Sequence, residues 1–184
     1  MTQDRTRASA RRTELLEAAY AYVLAHGLTD MSLRPLAAAI GSSPRVLLFL
    51  FGSKDGLIRE LLARARAEEL ALLDRLGEPA GLAGAAERLW EWAADPGHRP
   101  LLRLWTEAYA RSLVEPDGAW SGFAKATVDD WLKVLAACEP GADPARLTLV
   151  LAVLRGAILD LVATGDEERT GRAVRLHVER LARM

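Results

Sequence analysis

The chain has 184 residues, 51% of them hydrophobic and 27% charged, with a formal net charge of −1. That length suits one ordinary domain or a small one joined to a medium one, and that composition excludes a disordered or fibrous chain. A single cysteine, Cys138, cannot close an internal disulfide, and the charged start MTQDRTRASARR leads into no apolar run of the kind a signal peptide carries. Both features fit a reducing, cytoplasmic setting.

Alanine, leucine and arginine dominate and β-branched residues are sparse, so the expected fold is all-α. A first helix is expected over residues 8–25, where Leu15, Ala19, Tyr22 and Val23 recur at helical spacing, with Gly27 as its left-handed stop. Ser32 can cap a second helix over residues 33–40, with Pro35 in the first turn where a missing N–H costs little. Gly41 ends it. Ser43 then caps a third helix that opens with Pro44 and runs only to about Leu50. Gly52 breaks that helix, and Ser53 caps a long fourth one, with Leu57, Leu61, Leu62, Ala65 and Leu72 along one face.

Beyond a linker at residues 77–81, helical segments are expected near 82–94, 100–114, 118–138, 144–164 and 168–183, separated by Pro- and Gly-containing breaks. The count is about nine. They divide into a three-helix head, residues 1–53, and a body, residues 54–184, that begins with the connecting fourth helix. The charge is uneven across this division. Residues 1–56 hold seven Arg and Lys against five Asp and Glu, a net +2, which leaves −3 on the remainder. A small DNA-binding head on an acidic body has this pattern, and so do many surfaces without a polyanion partner. The most apolar helix, residues 147–163, carries Arg155 and Asp160 and reads as buried rather than membrane-spanning.

Two short helices around Gly41-Ser42-Ser43 have the proportions of a helix-turn-helix, whose second helix can enter the DNA major groove. On that second helix Ser43, Pro44, Arg45, Val46 and Phe49 are expected outward, and Leu47, Leu50 and Phe51 inward. Arg45 can pair bidentately with guanine, worth about 1–3 kcal/mol of discrimination, and Val46 or the Phe49 ring edge can meet a thymine methyl. Ser43, Arg34 and Lys54 are placed for phosphates, Lys54 at a helix N-terminus that itself favours an anion. Ser32, Ser42 and Leu48 complete the expected DNA-facing set. Arg7, Arg11 and Arg12 can follow the backbone or enter the adjacent minor groove.

These residues resemble the head of the tetracycline-repressor-like (TetR) transcriptional regulators. That signature is a first helix ending in glycine, an Ala-x-x-x-Gly turn, a short reader helix, an aromatic, and Ser-Lys before a long helix. Here the positions are Gly27, Ala37 to Gly41, Ser43 to Leu50, Phe51, and Ser53-Lys54 followed by Leu57. The likeness covers residues 9–60, and the chain length and helix count also resemble that family. It implies a DNA-binding regulator with a helical ligand-binding and dimerisation body. The chain departs from the pattern at Leu48 and Leu50, where the family commonly has tyrosines, and at Pro44-Arg45-Val46, where it often has Lys-Gly-Thr. Leucine cannot donate to a phosphate, so the phosphate role usual at Leu48 does not carry over.

The body holds five tryptophans. Core packing explains any one of them; together they suggest an apolar pocket with a few polar groups. The expected lining is Trp90, Trp105, Tyr109, Trp120, Phe123, Thr127, Trp131 and Arg155. The helix over 144–164 is apolar nearly all round and needs cover on two sides. A dimer interface is therefore expected from Leu147, Val150, Leu151, Leu154, Ile158 and Leu161, with Val174, His177, Val178 and Leu181 of the last helix. No catalytic constellation, metal-ligand spacing or phosphate loop is present, so no enzyme, metal or cofactor is expected. The expectation is a homodimeric regulator of a palindromic operator, most simply a repressor released by a small apolar or amphipathic molecule. The alternative is a helical ligand-binding or scaffolding protein whose head docks on protein instead of DNA.

Overall fold

The computed structural model describes residues 2–28, 30–75 and 81–183, with side-chain surroundings given for 9–28, 30–71 and 81–183. The expected linker at 77–81 lies outside the described residues except for Gly81, as do the side chains of Arg7 and Leu72. Among the described residues the fold is all-helical. The elements are α1 (Thr2–His26), α2 (Leu33–Ala39), α3 (Pro44–Phe51), α4 (Lys54–Arg75), α5 (Gly81–Ala94), α6 (Arg99–Val114), α7 (Phe123–Cys138), α8 (Pro144–Thr164) and α9 (Glu167–Leu181), with a 3-10 turn at Pro96–His98. Helix α1 begins earlier than the sequence pattern indicates. Helix α7 begins later than residue 118, because Gly118–Gly122 forms turns, Ser121 N–H donating to the Gly118 carbonyl and Gly122 adopting φ +74°.

The chain packs into two compact units, residues 1–67 with 107–124, and residues 68–106 with 125–184. Helices α4, α6 and α7 each contribute residues to both.

In the first unit, α1 buries Leu15, Ala19, Tyr20 and Val23. Helix α2 buries Leu36 and Ala37, α3 buries Leu47 and Phe51, and α4 buries Leu57, Ile58, Leu61, Leu62 and Ala65. Each buried leucine contributes about 1.5–3 kcal/mol relative to exposure. Polar clamps hold this small core in register. Arg12 reaches Glu60 at 2.7 Å, donates to the Leu50 carbonyl at 3.4 Å, and lies 5.2 Å over the Phe51 ring. Arg64 pairs with Glu17 at 2.8 Å and lies 4.6 Å over the Tyr20 ring. The Glu107 carboxylate accepts the Leu28 amide through both oxygens, at 3.0 and 3.1 Å.

In the second unit, α5, α8 and α9 pack together. Leu82, Ala85, Leu89 and Trp90 of α5 enter one core with Trp131 and Leu135 of α7. Asp143 caps α8 and Asp166 caps α9, accepting the Ala145 and Arg169 amides at 2.8 and 3.0 Å. Arg169 grips Asp160 with two bonds of 2.6 and 2.7 Å, which pulls that carboxyl below the usual carboxylate range.

Most of the residues expected at a dimer surface lie inside this core. Leu147, Val150, Leu151, Leu154, Leu161, Val174 and Leu181 are buried in this core, and Ile158 and Val178 pack against it half-buried. His177 is also half-buried, and desolvation with Arg180 nearby holds its imidazole below the ordinary pKa. The seven buried residues lie where α5, α8 and α9 pack on one another, while Ile158, His177 and Val178 keep part of their surface exposed. The opposite side of α8 carries the exposed residues Leu149, Ala152, Gly156, Leu159 and Ala163, with Leu149 and Leu159 about half exposed at 53% and 52%. By length and composition alone α8 passes as a membrane span (mean hydropathy 2.0), and 33% of that window is buried.

Candidate nucleic-acid interface

Helices α2 and α3 meet at 101°, joined by Ile40–Ser43. The turn closes α2 in a Schellman arrangement. Ser42 N–H donates to the Ala37 carbonyl at 2.8 Å and Gly41 N–H to the Ala38 carbonyl at 3.4 Å, with Gly41 at φ +63°. Ser43 Oγ then accepts the Val46 amide at 3.3 Å and Pro44 occupies the first position of α3. Sharp closure of one helix and capped opening of the next leave α3 only eight residues long.

The burial pattern of α3 separates its faces. Leu47 and Phe51 point inward; Pro44 and Leu50 are half-buried. Ser43 and Arg45 are exposed, as are Val46 at 40%, Leu48 at 42% and Phe49 at 85%. Ser32 precedes α2 without capping it, so its exposed hydroxyl is not used there, while Ser42 is half-buried. Ser53 Oγ accepts the Gly56 amide at 2.9 Å and Lys54 opens α4 beside it. Arg34, Arg45 and Lys54 are exposed and make no ion pair among the described residues. The basic residues of α1 differ. Arg11 pairs with Glu14 at 2.8 Å, and Arg12, expected along the DNA backbone, is held by Glu60 and the Leu50 carbonyl.

Gly56 was not legible as a site residue. A Cβ built on it would overlap the Phe51 carbonyl oxygen, so the α3–α4 junction closes only around a glycine.

The eight residues expected at a ligand pocket are divided by the fold. Tyr109, Trp120 and Phe123 belong to the first unit; Trp90, Trp105, Thr127, Trp131 and Arg155 belong to the second. Trp90, Trp120, Phe123, Thr127 and Trp131 are buried, and Trp105, Tyr109 and Arg155 are half-buried. Within the second unit Trp92, one of the five tryptophans but outside the expected lining, stacks on His98 at 4.1 Å and on Trp105 at 5.7 Å between ring centroids. Glu69, only 1% exposed, accepts the Trp131 indole N–H. The Thr127 hydroxyl oxygen and the Trp105 indole nitrogen are buried and find no hydrogen-bond partner among the described residues.

No protein-family model and no curated protein matches the sequence. Solved structures do. The multidrug binding protein EbrR, solved with proflavin, is 27% identical with a TM-score of 0.65, over 93% of this chain and 99% of that one. A transcriptional regulator of Rhodococcus sp. RHA1 is 19% identical with a TM-score of 0.74, over 91% of this chain and 94% of that one. A TetR-family transcriptional regulator from Rhodococcus sp. is 18% identical with a TM-score of 0.69, over 95% and 97%. The chain shares the all-helical fold of these regulators, and its motif from Gly27 to Leu57 resembles the head of the TetR-like family.

Proposed function

We propose that the chain is a homodimeric repressor of a palindromic operator, released by a small apolar or amphipathic molecule in the cytoplasm. Residues 1–53 act as the DNA-binding domain and residues 54–184 as the regulatory one. The observation that carries the reading is the exposed face of α3 with Arg45 on it, together with exposed Arg34 and Lys54 on the adjoining helices, none of the three making an ion pair among the described residues. Exposed cations without internal partners, around a helix of major-groove proportions, suit a polyanion.

Dimerisation rests on the outer face of α8. Leu149, Ala152, Gly156, Leu159 and Ala163 follow one another at steps of three and four, the spacing of a helix–helix seam. Gly156 supports this. A Cβ there meets nothing within 4 Å among the described residues, so none of them requires glycine, although glycine in a helix interior costs about 0.5–1 kcal/mol relative to alanine. Close approach of a second α8 explains it. The groove of about 630 Å³ along α9, lined by Arg172, Ala173 and Leu176 among others, offers room for the same partner.

The effector reading is supported by the aromatic content of the body, by the Trp92–Trp105 stack, and by the likeness to EbrR, which was solved with proflavin and with ethidium. Release would act through spacing, since two reader helices fit successive major grooves only about 34–36 Å apart. The molecule releases DNA only if it binds the misaligned form better. Helix α6 suits this coupling, because Trp105 and Glu107 lie two residues apart on it and Glu107 holds the Leu28 amide that follows α1.

Binding of fluorescent duplex from the protein's own upstream region, followed by anisotropy across a salt series, tests the reading. Tight binding that weakens steeply with salt is expected. A head indifferent to both DNA and salt would refute it and favour docking on protein.

A further inference from the structure

We propose that α3 selects its operator through the 5-methyl groups of thymine, with Phe49 and Val46 as the apolar readers beside Arg45. This rests on the DNA-binding reading above. At about 100° per residue, the exposed arc of α3 runs Leu48, Arg45, Phe49, Val46, with Arg45 and Phe49 at its centre. Three of these four side chains are apolar. Arg45 is the one hydrogen-bonding group among them.

Phe49 is the most exposed large hydrophobic side chain among the described residues, at 85%. Its neighbours on the arc, Val46 and Leu48, are exposed at 40% and 42%. An exposed apolar ridge on a helix needs an occupant, and the neighbouring charge indicates which. Arg45 stands within the ridge, and Arg34 on α2 and Lys54 at the start of α4 belong to the adjoining elements; all three are exposed and make no ion pair among the described residues, which suits a polyanion rather than an apolar protein face. In the major groove, the apolar group that a base edge presents is the thymine methyl. Arg45 and Phe49 are one helical turn apart at i and i+4, so a guanine read by Arg45 lies close to a thymine read by Phe49. Leu48 adds apolar contact to the groove wall and no donor to a phosphate.

The test uses the full-length protein and an operator selected from a random duplex pool. Each thymine is replaced in turn by deoxyuridine, which removes only the methyl, and binding is followed by anisotropy at fixed salt. At one or more positions of each half-site deoxyuridine weakens binding about fourfold, the effect of one buried methyl-sized group. Phe49→Ala or Val46→Ala then binds the thymine and deoxyuridine duplexes alike at the position each reads. Lys54→Ala weakens both duplexes and keeps the preference between them. Phe49 is exposed, so the thermal midpoint of Phe49→Ala stays that of the parent. Selected DNA that binds equally well with deoxyuridine at every position would overturn this inference alone. So would a methyl preference that survives both Phe49→Ala and Val46→Ala. Failure to select any duplex would overturn the DNA-binding reading and this inference with it.

Discussion

Lys54→Ala isolates one phosphate contact from the rest of the interface. Lys54 is exposed, opens α4, and makes no ion pair among the described residues, so its removal leaves the head's core unchanged. Each phosphate neutralised contributes about 0.9 to the slope of log K against log[salt]. A dimer loses two such contacts, so the slope becomes shallower by about 1.8. Extrapolated from about 1 M salt, those two contacts account for roughly sixtyfold in affinity at 0.1 M. The loss applies to every sequence alike, because phosphates carry no base identity. Anisotropy titrations of operator and scrambled duplex between about 50 and 300 mM salt, the range over which counterion release acts, measure both quantities. Weakened binding with an unchanged slope would refute the assignment of Lys54 to a phosphate, as would a loss confined to the operator.

Other perturbations reach the scaffold and the dimer. Gly56→Ala drives a methyl into the Phe51 carbonyl oxygen, so the end of α3 must shift; operator binding is expected to fall well beyond the loss of thermal stability. Equal operator affinity in that variant would show that the junction adapts. Gly41→Ala meets no neighbour within 4 Å and costs only the left-handed backbone, about 1–2 kcal/mol, read as a lowering of the melting temperature by a few degrees. Leu159→Glu puts a charge on the outer face of α8, where the protomer leaves the leucine half exposed, and is expected to give a folded monomer in sedimentation velocity with weakened operator binding. A dimer that persists in that variant would move the interface elsewhere.

The elements most legible in the sequence were those with local punctuation. Gly27, Gly41 and Gly52 all adopt positive φ, and Ser43 with Pro44 opens α3 through a side-chain cap, so the head could be laid out from turn chemistry alone. The same logic failed at Gly118–Gly122, where helix-compatible residues surround two glycines and the turn bonds decide. Helix α8 shows a different limit. It is apolar on both sides, so periodicity cannot say which side faces its own core. Spacing has no answer until α5 and α9 cover Val150, Leu154 and Leu161 and leave Leu149 and Leu159 outside. The division of the aromatic residues was equally hidden, because residues 107–124 pack with the N-terminal head through long-range contacts such as Glu107 with Leu28. Gly56 has no local signature at all, since its requirement comes from the backbone oxygen of Phe51, on the far side of a helix junction.

Hydroxyl-radical footprinting of the selected operator tests the central claim most directly. Two protected half-sites related by a dyad, with centres one helical turn apart at about 34–36 Å or a multiple of it, are predicted, and Arg45→Ala should relax the base preference within each. A single protected patch, or a pattern unaltered by substitutions on α3, would contradict the account.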